Sequence, residues 1–139
     1  VDVMRKILIL MRESGKTYEL EDIANESFLP KASLEAKTVP EFMETLKTEA
    51  DHFEILRQNA ENEGCRLKYV ASFKNGSAKV GLQHIPKEHP FYNLDGKDNI
   101  VLFYTNRYKD QPLIIKGAGA GADVTASGIF GDIIRTGNK

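Results

Sequence analysis

Two residues near the middle of the chain, Asn75 and Gly76, constrain the fold more than any other feature. Upstream of them Leu67, Tyr69, Ala71 and Phe73 alternate with polar or smaller residues, and downstream Ala78, Val80 and Leu82 resume the alternation. An Asn-Gly pair between two runs of period two is the signal of a two-residue type I′ turn, because both residues tolerate positive φ. Strands joined by so short a turn run antiparallel, whereas parallel strands need a crossover of a dozen residues or more. A doubly wound parallel sheet is thereby excluded. Two further strands are predicted at Asn99 to Thr105 and Pro112 to Lys116, with helices before the hairpin and one at the end. The reading is an α+β layer fold: a mostly antiparallel sheet of three or four strands, mixed pairing remaining open, with helices on one face.

The helical segments carry their own punctuation. The first, to about Ser14, has Asp2 in its first turn and Arg12 in its last, as the helix dipole favours, and Gly15 stops it. Thr38-Val39-Pro40-Glu41 combines a capping box with a proline in the first turn, where no amide donor is lost. Phe42, Leu46, Ala50, Phe53, Leu56 and Ala60 then follow at spacings of three and four, predicting one continuous apolar stripe as far as Gly64. Between these helices Ile23 to Phe28 reads either as a short strand or as a helical turn, ended by Pro30. His84 to Lys97, with two prolines and a glycine, reads as a loop. The closing helix is predicted from Asp123 to Thr136, with Val124, Ile129, Ile133 and Ile134 as its buried side.

At 139 residues the chain has about the length of one domain. Nineteen basic against twenty acidic residues leave a formal charge of −1, which offers no electrostatic footprint for nucleic acid or an anionic membrane surface. A mean hydropathy of −0.38, with no long apolar run, excludes a transmembrane helix. One cysteine, Cys65, cannot form an intrachain disulfide and fits a reducing, cytoplasmic setting. The chain opens on helical periodicity without an initiator methionine, and the apolar stretch Ile7 to Met11 is too short for a secretory signal. Val1 therefore reads as the cut edge of a larger protein.

Few residues offer chemistry. Gly117, Gly119 and Ala122 fit G-x-G-x-x-A between a strand and a helix, the local setting of a dinucleotide fingerprint. No second parallel strand follows, so a self-contained dinucleotide-binding domain is excluded; what remains is a turn free of side chains at a positive helix end. The plain alternative is a turn packed on its own sheet. Asp2 and Lys6 share one helix face, either as a solvated i,i+4 ion pair or as a substrate anchor beside a proton donor. His84 and His89 lack partners at metal-ligand spacing, so no metal site is expected. His52 reads as a surface residue, Cys65 as buried filler, and Phe103, Tyr104 and Tyr108 as core.

Two blocks give these residues a setting. The ending P-L-I-I-K-G-A-G-A-G-A-D-V-T-A-S-G-I-F-G-D-I-I-R closely resembles the C-terminal motif of homoserine dehydrogenases. The opening D-V-M-R-K-I-L-I-L resembles the second half of that family's signature, and H-P-F-Y-N-L-D-G-K-D-N-I-V-L-F-Y-T between them is also similar. The resemblance runs in order along nearly the whole chain and is closest to the tail of bifunctional aspartokinase–homoserine dehydrogenases. It implies that residues 1–139 form the catalytic and dimerisation part of an oxidoreductase that interconverts L-aspartate 4-semialdehyde and L-homoserine with NAD or NADP, on the route to threonine, isoleucine and methionine. Carried over residue by residue, Lys6 matches the catalytic lysine and Asp2 the substrate-contacting aspartate. Gly121 is the expected cofactor contact, with Gly119 and Gly117 shaping the turn. The family's nucleotide-binding domain and monovalent-cation site would precede Val1, so this part alone is expected to be inactive and to form a homodimer through its sheet. A non-catalytic oligomerisation or regulatory module is the alternative.

Overall fold

The computed structural model describes residues 1–138. Where the length suggested one domain, the chain forms two compact units, Val1–Tyr92 and a second from Asn93 onward. The boundary falls inside the proline- and glycine-containing loop foreseen at residues 84–97. Each unit is a small α+β assembly, the class the hairpin argument requires.

The first unit opens with α1 (Asp2–Glu13), a 3₁₀ turn (Leu20–Asp22) and β1 (Ile23–Asn25). Three helices follow, α2 (Lys31–Glu35), α3 (Val39–Thr48) and α4 (Ala50–Asn62), and then the hairpin β2 (Arg66–Lys74) and β3 (Ser77–Ile85). The turn between these strands is as anticipated, with Asn75 at φ 53° and Gly76 at φ 77°. β3 is the central strand, antiparallel to β2 and parallel to β1 with Ile23 opposite Ala78. The core lies where α1 meets this sheet. Leu8, Met11, Ile23, Ala78 and Val80 are buried together, and Val3, Ile7, Tyr18, Ala71 and Phe73 pack around them. Tyr18 closes one end: its ring meets Phe73 edge-on at 5.5 Å, and its hydroxyl donates to the Gly76 carbonyl at 2.7 Å.

The stripe expected as one helix from residue 38 to 63 is two. The chain leaves helical geometry at Glu49 (φ −99°, ψ 23°). Thr48 Oγ1 donates back to the Glu44 and Thr45 carbonyls at 3.3 and 3.0 Å, and Thr45 Oγ1 to the Phe42 carbonyl at 2.7 Å. Hydroxyls bonded to the preceding turn compete with the ladder and bend helices, which the apolar spacing alone does not register. His52, expected at the surface, is half-buried; its Nε2 donates to the Phe28 carbonyl at 2.9 Å and its ring meets Phe53 at 5.2 Å.

The second unit has β4 (Asp98–Phe103) and β5 (Leu113–Ala118), paired antiparallel as a separate two-stranded sheet, and α5 (Ala122–Gly137). The side of α5 expected to be buried is open: Val124, Ile129, Ile133 and Ile134 are all exposed, as is Phe130. Tyr104 and Tyr108, read as core, are exposed too, and Phe103 is half-buried. Two strands and one helix do not have enough surface of their own to cover these side chains.

Candidate active site

Asp2 and Lys6 stand one turn apart on α1, their charged ends 3.0 Å apart. Burial of Leu8 and Met11 turns one face of the helix to the core and leaves this pair on the other, 78% and 56% exposed. The helix therefore fixes both side chains on one rigid element. An exposed carboxylate beside an ammonium can hold a cationic group with the one and offer a proton with the other.

The glycine run lies in the second unit, and each glycine has a different structural reason. Gly121 caps α5 at φ 139° and ψ 151°, a conformation open essentially to glycine alone. Gly119 has no such backbone requirement; a Cβ there would coincide with the side-chain amide of Asn99 on β4. Gly117 pairs with Asn99 in the sheet, and a Cβ there would meet nothing within 4 Å. The Gly119 amide donates to the Lys97 carbonyl at 3.3 Å, and the Lys97 ammonium lies 3.5 Å from where a Gly121 side chain would begin. A cation and the amide end of a helix of 16 residues thus meet at a turn made only of glycine and alanine, while Asp123 already brings a carboxylate to that helix's first turn.

Asn99 and Lys97 were not among the candidates drawn from the sequence. The signal was present, since a strand running into Gly-Ala-Gly and paired antiparallel brings its glycines beside the start of its neighbour. The histidines each contact a group of the fold itself. His84, which lies within β3 rather than in the loop, has Nδ1 2.6 Å from a Glu63 carboxylate oxygen. His89 Nδ1 accepts from the Phe91 amide at 3.1 Å. Cys65 is half-buried, not fully buried, and its thiol donates to the Glu63 carbonyl at 3.6 Å. Among the described residues no group of three or more His, Cys, Asp or Glu could hold a metal ion, and no helix is long and apolar enough to cross a membrane.

The homoserine dehydrogenase family model matches residues 1–134. The chain is 44% identical over 136 residues to the chloroplastic bifunctional aspartokinase/homoserine dehydrogenase 2 of Zea mays, covering 96% of this chain and 15% of that protein. It is 40% identical over 138 residues to the homoserine dehydrogenase of Paracoccidioides brasiliensis, covering 97% of this chain and 37% of the fungal protein. The crystal structure of a Candida auris protein of unknown function superposes with a TM-score of 0.86 at 37% identity, over 99% of this chain and 39% of that one. The chain thus spans a minor part of the length of the relatives it matches. With the family model running from the α1 pair through the glycine turn and into α5, the chain belongs to the homoserine dehydrogenase family.

Proposed function

We propose that this chain is the catalytic and dimerisation part of an NAD(P)-dependent homoserine dehydrogenase that interconverts L-aspartate 4-semialdehyde and L-homoserine. The observation that carries the reading is the Asp2–Lys6 pair, held at 3.0 Å on α1 inside the segment that the family model matches. Lys6 is the proton donor and acceptor, and Asp2 anchors the substrate. When bound, the nicotinamide supplies the hydride for reduction of the aldehyde. As charge grows on the aldehyde oxygen, the Lys6 ammonium stabilises it and transfers its proton there, leaving a hydroxyl and a neutral amine that recovers a proton from water. In the oxidising direction the same amine accepts the hydroxyl proton. The Asp2 carboxylate takes the substrate's own ammonium and so fixes which carbon faces the hydride.

The glycine turn fits a nucleotide: Gly121 and Ala122 leave the helix end clear, and Lys97 adds positive charge. It would supply one wall of the cofactor site. The remaining nucleotide contacts and the monovalent cation belong to the part of the enzyme outside this chain, and the likeness to the Zea mays protein favours a bifunctional parent. The single thiol fits a cytoplasmic enzyme.

The test is steady-state homoserine oxidation, in the enzyme that carries this chain, with Lys6→Ala and Asp2→Ala. Lys6→Ala is expected to collapse turnover, and Asp2→Ala to raise the KM for homoserine more than that for the cofactor. Near-normal turnover in Lys6→Ala would reduce the pair to a surface ion pair.

A further inference from the structure

The glycine turn has a companion that no reading of its own motif contains. We propose that Asn99 is a positioning residue for cofactor binding, acting through Gly119; this rests on the reading that the turn faces the cofactor. One hydrogen bond and two close approaches relate the start of β4 to the turn. The Gly119 amide donates to the Lys97 carbonyl at 3.3 Å, the Lys97 ammonium lies over Gly121, and the Asn99 side chain fills the space a Gly119 side chain would need. The third is the closest, for a Cβ at 119 would fall on the amide nitrogen and would lie 3.3 Å from the Asn99 Cβ.

Gly119 is not at positive φ. Its lack of a side chain is therefore accounted for by Asn99, as that of Gly121 is by its backbone conformation. Asn99 pairs with Gly117 in the ladder, so Gly119, just past the end of β5, is two residues along the chain from its partner. A planar amide laid against a Cα limits the backbone excursions that glycines on both sides would otherwise permit. Removing it should free the turn without disturbing a core, since neither residue is buried. The effect then belongs to cofactor affinity rather than to folding or to the chemistry at Lys6.

The experiment is a double-mutant cycle with Asn99→Ala and Gly119→Ala in the complete enzyme, reading both KM values, kcat and the thermal midpoint. Asn99→Ala is expected to raise the cofactor KM about tenfold or more, as small misplacements of a binding element do, leaving the homoserine KM and the midpoint unchanged. Gly119→Ala should do the same, because its methyl displaces the amide. The two together should be no worse than either alone, since each removes the same contact. An unchanged cofactor KM in Asn99→Ala, or effects that multiply, would overturn the proposal. Gly121→Ala separates the two levels of the argument. If it raises the cofactor KM while Asn99→Ala does not, positioning by Asn99 falls and the turn stands as a cofactor wall. If neither moves it, the cofactor reading of the turn falls and this proposal with it.

Discussion

Lys6 is held by little besides its own helix. Its pairing with Asp2 is exposed on both sides, so the contact contributes well under about 1 kcal/mol to folding. The structure around it should survive its removal. In the complete enzyme Lys6→Ala is expected to lower turnover by about two to four orders of magnitude, the range for losing a positioned acid–base group, with the thermal midpoint almost unmoved. Lys6→Arg should not restore activity, because a guanidinium keeps its proton near neutral pH and spreads its charge over a planar fork. Steady-state kinetics and thermal melting on the same preparations check both. Gly76 is the opposite kind of residue, with no chemistry and a strict conformation. At φ 77° in the hairpin turn, Gly76→Ala is expected to cost about 1–2 kcal/mol, read as a lower midpoint in a denaturant titration.

Among the elements, α4 carries the strongest local electrostatics. Arg57 reaches both Glu54 (2.7 Å) and Glu61 (2.8 Å), and Gln58 also donates to Glu54 at 2.8 Å. Hydrogen bonds from Arg57 and then Gln58 hold the Glu54 carboxyl down at about 2, from an ordinary 4.5, and Arg57 is pushed up in turn. A carboxyl whose folded pKa is depressed contributes stability that is present above its unfolded value and is lost as pH falls through the folded one. The helical contribution of this cluster should therefore fade between about pH 4.5 and 2, while solvent screening keeps it small. A carboxyl-carbon NMR titration should find Glu54 titrating well below the ordinary glutamate value in the native chain. It should return toward its ordinary value in Arg57→Ala. An unshifted Glu54 in the native chain would show that solvent dissolves the pairing.

At the scale of the whole molecule the apolar surface is conspicuous. The second unit exposes Leu113, Ile114 and Ile115 on β5 and five large apolar side chains on α5, more than isolated surface positions account for. This supports association, and the sheet residues suit the isologous homodimer that the proposed function includes. The isolated 139-residue chain is expected to fold on its first-unit core and to sediment as a dimer or larger species at micromolar concentration. A chain that remains monomeric at high concentration would count against an interface formed by these residues alone. The same preparation should show no saturable NADPH binding by calorimetry, since the glycine turn is proposed as only one wall of a site and, among the described residues, no complete βαβ nucleotide unit stands behind it. A micromolar dissociation constant would overturn that expectation.

What could be read from the sequence is what neighbouring residues decide among themselves. The Asn75-Gly76 turn, the Thr38 cap with Glu41 donating its amide to the threonine hydroxyl, the helix after the glycine run and the face shared by Asp2 and Lys6 all depend on torsion preferences and on spacing along the chain. Tertiary structure decided the rest, because it turns on partners remote in sequence. Ile23 to Asn25, undecided by pattern, became a strand because the edge of β3 was there to pair with it. His52 became an anchor because the Phe28 carbonyl came within reach. Gly119 belongs to Asn99 only once β4 and β5 are in register. An apolar stripe such as that of α5 states what a helix would bury, whereas a covering surface has to come from somewhere else in the fold or from a partner.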